Sequence, residues 1–218
     1  MSGWFEYILA FIVFFVTHSI PVRPGVKSRL VAVLGARGFT IAYSFLSIAV
    51  LTWVIVAAGR APFVGLWDWA PWQNHVTLTV MFLVCLIATL SIGRPNPLSF
   101  GGANNHRFDP DHPGLIGWMR HPLLVALFLW AFGHMIPNGN VAHVILFVVF
   151  GGFALLGMRI IDRRQKRIMG AAEWARLADT RRTVTVTPNG LIRVVIAVAV
   201  YALLLWLHEP VIGVEPLL

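Results

Sequence analysis

The chain has few charged residues and a single cysteine. Charged residues make up 12% of its 218 residues, about half the share found in ordinary soluble domains. Apolar residues make up 58%, and a conventional soluble enzyme could not keep that much apolar surface from water. Intrinsic disorder is excluded for the same reason. Because Cys85 stands alone, an intramolecular disulfide and a cysteine-based zinc or iron–sulfur site are excluded as well.

Long apolar runs take the place of charge. A membrane helix needs roughly 20 mainly apolar residues, and six runs come close to that length. The sequence therefore predicts one all-α domain over residues 1–218, an integral membrane bundle of about six transmembrane helices. No Lys or Arg precedes Arg23, so we do not expect the first run to be a cleavable signal peptide. The six runs are residues 4–20, 39–58, 76–92, 114–136, 141–161 and 191–207.

The basic residues are unevenly distributed along this pattern. Sixteen of the 17 Lys and Arg residues fall in the segments that follow the first, third and fifth runs or at the adjoining ends of the runs, and only Arg60 lies on the other side. The positive-inside rule then places those three segments in the cytoplasm and both termini outside, in the periplasm of a bacterial inner membrane. The positive net charge is thus a topology signal. Membrane lipids are the expected partners, and no nucleic-acid partner is needed.

The charged segment after the fifth run has a helical pattern of its own. Asp162 and Lys166 are four residues apart, and Ile168 and Trp174 contribute to a partly apolar face. This pattern predicts an interfacial helix over residues 159–179, with the apolar face against lipid or the bundle.

Three of the eight histidines lie within apolar runs: His18, His121 and His134. The other five lie in loops or at the ends of the runs: His75, His106, His112, His143 and His208. A polar group without a partner is costly within an apolar run, and ionisable residues at membrane depth are candidates for function. We expect no Asp, Glu or Lys beside them. One interpretation is a neutral imidazole hydrogen-bonded to a neighbouring helix. The other is ligation of haem iron, for which neutral imidazole is well suited and which helical bundles can accommodate in their cores.

Four motifs, taken in order, resemble the NnrU family of membrane proteins over nearly the whole chain. The resemblance implies a link to bacterial denitrification, in the handling of nitric oxide or nitrite. The motifs are T-H-S-I-P-V-R-P-G at residues 17–25, N-P-L-S at 96–99, D-P-D-H-P-G-L-I-G-W-M-R-H-P at 109–122 and W-A-F-G-H-M-I-P-N-G at 130–139.

The 15-cis-zeta-carotene isomerases are similar to that family, and they are membrane enzymes that hold haem b by two histidines. Matched by motif, this resemblance implies His18 and His134 as iron ligands. The substrate would be lipophilic, as in the isomerases, or a small nitrogen oxide. The isomerases carry a cysteine where this chain has Ala131, so a thiolate ligand is absent here.

Helix geometry favours a different second ligand. His134 follows His121 by 13 residues, about 20 Å along a regular helix, and the two would point in different directions. By depth in the membrane, His121 is the better match for His18. Both His121 and His134 therefore stay open as the second iron ligand. Arg120, beside His121, is a candidate for binding a haem propionate, a lipid headgroup or a substrate carboxylate.

Two further functions stay open. R-H-P at the start of a span, followed by a charged segment with G-A-A-E-W, also resembles the isoprenylcysteine carboxyl methyltransferases, which bind S-adenosylmethionine. The second open function is that of a non-enzymatic accessory protein of the membrane, without a cofactor. The residues that match the methyltransferases are Arg120 and His121 and, more loosely, Asp162, Gly170, Glu173 and Trp174.

Overall fold

The computed structural model describes residues 2–183 and 185–217, and all regular structure in them is helical. Gly65 and Asn140 form an isolated antiparallel β-bridge. The predicted all-α class is confirmed. The helices are α1 (Ser2–Ser19), α2 (Pro24–Arg60), α3 (Pro71–Ser91), α4 (Pro122–Met135), α5 (Val141–Met169), α6 (Ala171–Ala178) and α7 (Pro188–Ile212), with short 3₁₀ turns at Asn105–Arg107 and Gly114–Gly117.

Proline marks the first turn of four of these helices. Pro24, Pro71, Pro122 and Pro188 open α2, α3, α4 and α7. Proline suits that position because the first N–H groups of a helix have no partner within the helix. In α7, the hydroxyl of Thr187 also accepts a hydrogen bond from the backbone N–H of Gly190, at 3.0 Å. The helix starts are therefore written into the sequence.

Four of the helices are long and apolar enough to cross a membrane: α2, α3, α5 and α7. The apolar helices α1 and α4 are shorter, and the 14 residues of α4 span only about 21 Å. Large apolar side chains stay exposed on these helices, among them Phe45 at 71% and Trp206 at 73%. Lipid is the solvent that suits such surfaces, and the predicted polytopic membrane bundle is confirmed.

The fourth predicted run is not one continuous helix. Residues 114–117 form a 3₁₀ turn, residues 118–121 are not helical, and α4 starts only at Pro122. The cause lies in two residue types. Gly114 has a positive φ of 60°, and proline pushes the residue before it out of the helical region. His121 accordingly has φ −117° and ψ 64°. The expectation of a straight helix through His121 and His134 is wrong.

The predicted interfacial helix over residues 159–179 is also divided. Helix α5 continues to Met169, and α6 begins at Ala171. Between them Gly170 has φ 86°, a conformation that glycine adopts without steric cost. The charged segment is therefore the end of one long helix followed by a short second one.

The chain forms two compact units. The first contains the described residues up to Trp67 together with Asn140–Leu146, and the second contains Asp68–Gly139 and the described residues from Phe147 onward. In the first unit α1 packs on α2, and the Tyr7 hydroxyl donates to the Ala142 carbonyl at 2.7 Å. In the second, α3 packs against both α4 and α7.

Candidate functional site

Polar and basic residues collect where helices of the second unit end. The Arg193 guanidinium of α7 donates to the carbonyls of Thr89 and Ile92 at the end of α3, at 2.6 and 2.8 Å. Arg94 donates to the Asn189 side chain at 3.1 Å. The segments before α4 and after α5 meet at this end too, as described next. The second and third basic segments of the sequence therefore lie at one polar end of the second unit.

His121 and Arg120 share a carboxylate at this end. One oxygen of Asp162 lies 3.1 Å from Nε2 of His121, and the other accepts a hydrogen bond from the Arg120 guanidinium at 2.8 Å. Nδ1 of His121 lies 3.0 Å from the hydroxyl of Ser99. Both ring nitrogens of His121 are thus engaged, and its side chain is 5% exposed. The expectation of a histidine without an acidic neighbour is wrong here, because Asp162 lies one residue beyond the fifth apolar run.

The charge state of His121 follows from this environment. His121 precedes the first residue of α4 and lies outside the apolar helices. Burial lowers the pKa of its imidazole below the ordinary value of 6.5, although the neighbouring carboxylate of Asp162 acts in the opposite direction. A neutral ring satisfies both contacts: its Nε2–H donates a hydrogen bond to Asp162, and its Nδ1 accepts a hydrogen bond from the Ser99 hydroxyl.

The N-P-L-S motif is hydrogen-bonded to the loop that carries Arg120 and His121. The Asn96 side chain donates to the backbone carbonyl of Arg120 at 3.1 Å and accepts from the N–H of Leu98 at 3.1 Å. Its own N–H donates to the Asn105 side chain at 2.9 Å. Asn96 is 2% exposed, so these bonds are shielded from solvent and hold the loop before α4 in one conformation.

Trp174 joins α6 to the same cluster. The Arg120 guanidinium carbon lies 4.7 Å from the centre of the Trp174 ring, and the Lys166 amine lies 3.9 Å from it. Cations in this position are attracted by the ring face. Among the described residues the buried indole N–H of Trp174 has no hydrogen-bond partner. Of the other residues matched to the methyltransferases, Glu173 pairs with Arg176 at 2.7 Å and Gly170 breaks the helix.

His18 lies in the first unit, in the last turn of α1. Its Nδ1 lies 2.9 Å from the carbonyl oxygen of Phe14, one turn earlier. The imidazole stacks on the Phe14 ring at 4.0 Å between centroids, and the Tyr43 ring lies edge-on at 6.1 Å. In the described part of the chain no hydrogen bond reaches Nε2 of His18, so that nitrogen can act as a ligand.

His134 lies in the second unit, in the last turn of α4, and repeats this arrangement. Its Nδ1 lies 2.9 Å from the carbonyl oxygen of Trp130, again one turn earlier. The rings of Trp130 and Phe147 lie 5.2 and 5.8 Å from the imidazole. No hydrogen bond to Nε2 of His134 is found among the described residues. Ala131, three residues before His134, is 1% exposed.

Two of the other histidines have polar partners nearby in the sequence. His112 pairs with Asp109 at 2.8 Å, and Nδ1 of His143 lies 2.9 Å from the Asn140 side chain. Over residues 2–183 and 185–217, no three or more His, Cys, Asp or Glu side chains are grouped as a metal site would require. Haem iron needs only two axial ligands from the protein, so the haem hypothesis does not depend on such a group.

The family of the chain is decided by comparison with known protein families. The family described as NnrU protein matches residues 6–216, nearly the whole sequence. The chain belongs to the NnrU family. No curated protein and no solved structure matches it significantly. The resemblance carried by the four motifs is thereby confirmed at the level of the family.

Sequence reasoning missed two parts of the polar end. It did not pair Ser99 or Asp162 with His121, although Ser99 and His121 both belong to motifs that carry the NnrU resemblance. It also gave no role to Asp179 and Arg182, which follow α6 and line a cavity beside Arg120. A carboxylate at the end of an apolar helix, such as Asp162, was the available signal for the first part. Nothing in the sequence announces the second.

Proposed function

We propose that the chain is a haem b-binding integral membrane protein, with His18 and His134 as the iron ligands. It would act in nitrogen-oxide metabolism or in the cis–trans isomerisation of a lipophilic substrate. The observation that carries this proposal is the shared arrangement of the two rings. Each places Nδ1 within hydrogen-bond distance of the carbonyl four residues earlier and leaves Nε2 without a hydrogen bond among the described residues.

Each of the two imidazoles, taken by itself, has the chemistry of an iron ligand. An Nδ1–H that donates to a backbone carbonyl fixes the tautomer and directs the Nε2 lone pair outward, as histidine ligands of metals commonly require. Aromatic rings lie beside both imidazoles, and such apolar walls suit the faces of a porphyrin. His121 fits less well, because ligation would remove one of its contacts to Asp162 and Ser99.

Two imidazole ligands leave the chemistry to the cofactor. Haem b, when bound through two histidines, would supply one-electron chemistry, and a small molecule would coordinate the iron only by displacing one of the imidazoles. The chain itself would hold the iron through His18 and His134 and keep water away with apolar side chains. Ala131 offers no thiolate, so exchange between histidine and cysteine ligands is not part of the proposal.

The basic polar end also supports a proposed orientation. The positive-inside rule would place the polar end of the second unit in the cytoplasm and both termini in the periplasm of a bacterial inner membrane. Arg120 and Trp174 would then lie near the cytoplasmic surface.

Absorbance spectroscopy tests the haem proposal. The full chain, expressed with ample haem and purified in mild detergent, should show a Soret band. His18→Ala and His134→Ala should each shift or abolish it, because each removes an iron ligand. His121→Ala should keep the band position, and the exposed His75→Ala is the matched control. A wild-type protein without haem, or a band unchanged in both ligand variants, would overturn the proposal.

One observation favours a second candidate, a methyltransferase that uses S-adenosylmethionine. Arg120 and His121 do meet Asp162 and Trp174 at the polar end, as the methyltransferase resemblance implies. Glu173 is instead an exposed partner of Arg176. Calorimetric titration of the purified chain with S-adenosylmethionine separates the candidates, since saturable binding in the absence of a Soret band would favour the methyltransferase.

A further inference from the structure

A cavity of about 230 Å³ lies beside Arg120, within the second unit. One wall is the turn before α4, including Trp118, and the other is the segment Ala178–Arg182 that follows α6. We call it the Arg120 cavity. Neither His18 nor His134 lines it, so it is a separate site from the proposed iron ligands.

The segment after α6 is fixed over this cavity. The backbone N–H of Arg181 donates to the Pro110 carbonyl at 3.0 Å, and the Arg181 side chain pairs with Asp111 at 3.0 Å. A methyl group on Gly117 would collide with the carbonyl oxygen of Arg181, which shows how closely the two walls approach. The cavity therefore has two walls held by named contacts.

The lining of the cavity carries charges of both signs. One guanidinium nitrogen of Arg120 donates to Asp162, and the guanidinium has further N–H donors. Arg182 and Asp179 make no ion pair with any other described residue. Asp179 is also the C-cap of α6, where the last carbonyls of a helix carry partial negative charge. The lining thus combines two cations, one from each wall, with one anion and a carbonyl-rich helix end.

We propose that the Arg120 cavity binds a zwitterionic group. Its anionic oxygens, of a phosphate or carboxylate, would contact Arg120 and Arg182, and its ammonium would contact Asp179 and the carbonyl end of α6. A ligand of one sign would leave half of these groups unmatched. The His121–Asp162 pair then has a positioning role, because it holds the guanidinium of Arg120 at the cavity wall.

A phospholipid headgroup is the leading source of this chemistry. The cavity lies at the end of the second unit where apolar helices stop, and residues 159–182 carry eight Lys or Arg and three Asp or Glu. Such basic segments beside membrane helices contact headgroups. Phosphoethanolamine combines a phosphate with a primary ammonium. A soluble molecule with an amino-acid group, such as S-adenosylmethionine, has the same pair of charges.

The test uses the full chain in detergent and short-chain phosphatidylethanolamine, titrated by native mass spectrometry. Arg182→Gln and Asp179→Asn should each weaken binding by about tenfold, the effect of one lost charge-assisted hydrogen bond. Arg163→Gln makes the same charge change as Arg182→Gln at an exposed position of α5 outside the cavity, and it should bind like wild type. Both lining residues are exposed, so their substitution should leave the fold intact.

Phosphatidylglycerol and S-adenosylmethionine are the comparison ligands. Phosphatidylglycerol, which has no ammonium, should bind more weakly and should not be weakened further by Asp179→Asn. Saturable binding of S-adenosylmethionine with the same dependence on Arg182 and Asp179 would support the zwitterion site with a soluble ligand. Equal binding of the two lipids, or variants that titrate like Arg163→Gln, would overturn the proposal. The outcome is independent of the Soret band, so failure here leaves the haem proposal standing.

Discussion

Nε2 of His121 lies 3.1 Å from Oδ1 of Asp162, and this contact ties the residue before α4 to the charged end of α5. The second oxygen of the same carboxylate accepts a hydrogen bond from the Arg120 guanidinium. One acidic side chain therefore holds two neighbouring residues of the R-H-P motif. Arg120 also lies over the ring of Trp174, so it links the same carboxylate to α6.

We expect Asp162→Asn to destabilise the protein. An amide can keep one hydrogen bond but cannot pair with Arg120, and it leaves buried polar groups less well satisfied. The expected loss is about 1–3 kcal/mol, seen as a lower midpoint of thermal unfolding in detergent. Asp68→Asn is the control, since Asp68 is exposed in the loop before α3. Equal midpoints for Asp162→Asn and wild type would show that the carboxylate does not organise this end.

His121 should make stability depend on pH. Burial lowers the pKa of its imidazole, so the unfolded chain takes up a proton at a pH where the folded chain resists it. The stabilisation is then complete above the ordinary value of 6.5 and is lost as the pH falls below it. We expect the thermal midpoint of the wild type to fall more than that of His121→Gln on acidification. Parallel curves for the two proteins would contradict this.

Gly35→Ala should be more harmful than an ordinary helix substitution. Gly35 has φ 72° and ψ 163°, inside a helix that it divides in two, and residues with a side chain almost never adopt that conformation. The expected cost is about 1–3 kcal/mol, measured by thermal unfolding. Gly59→Ala is a matched control in the same helix, because no atom would lie within 4 Å of the new methyl group. That variant should be neutral or slightly more stable.

Local signals in the sequence predicted much of the fold. Apolar runs located the helices, and prolines such as Pro71 and Pro188 marked where two of them begin. The breaks were harder to foresee. Gly35 and Gly170 act through positive φ angles, which composition and hydropathy do not reveal. The prediction of one continuous helix over residues 114–136 failed because a hydropathy average does not register the local effect of Pro122.

The candidate site was only partly predictable. Its residues could be named from the sequence, since His18, His121 and His134 are unusual in apolar surroundings. The hydrogen-bond partners of their ring nitrogens could not be predicted, because these partners depend on tertiary contacts. Asp162 lies 41 residues after His121, and Ser99 lies 22 residues before it. Such distances explain why His121 was expected to be free for iron, whereas the structure shows both of its nitrogens engaged.

The orientation of the second unit gives the last prediction. His75 lies near the start of α3 and His106 in the loop that follows its end, and both are exposed. The positive-inside rule places the basic loop in the cytoplasm. In a Cys85→Ala background, a membrane-impermeant maleimide added to intact spheroplasts should label His75→Cys and leave His106→Cys unlabelled. Both should react after permeabilisation, which is the control for side-chain access. Labelling of His106→Cys alone in intact spheroplasts would reverse the orientation and would place the Arg120 cavity at the outer surface.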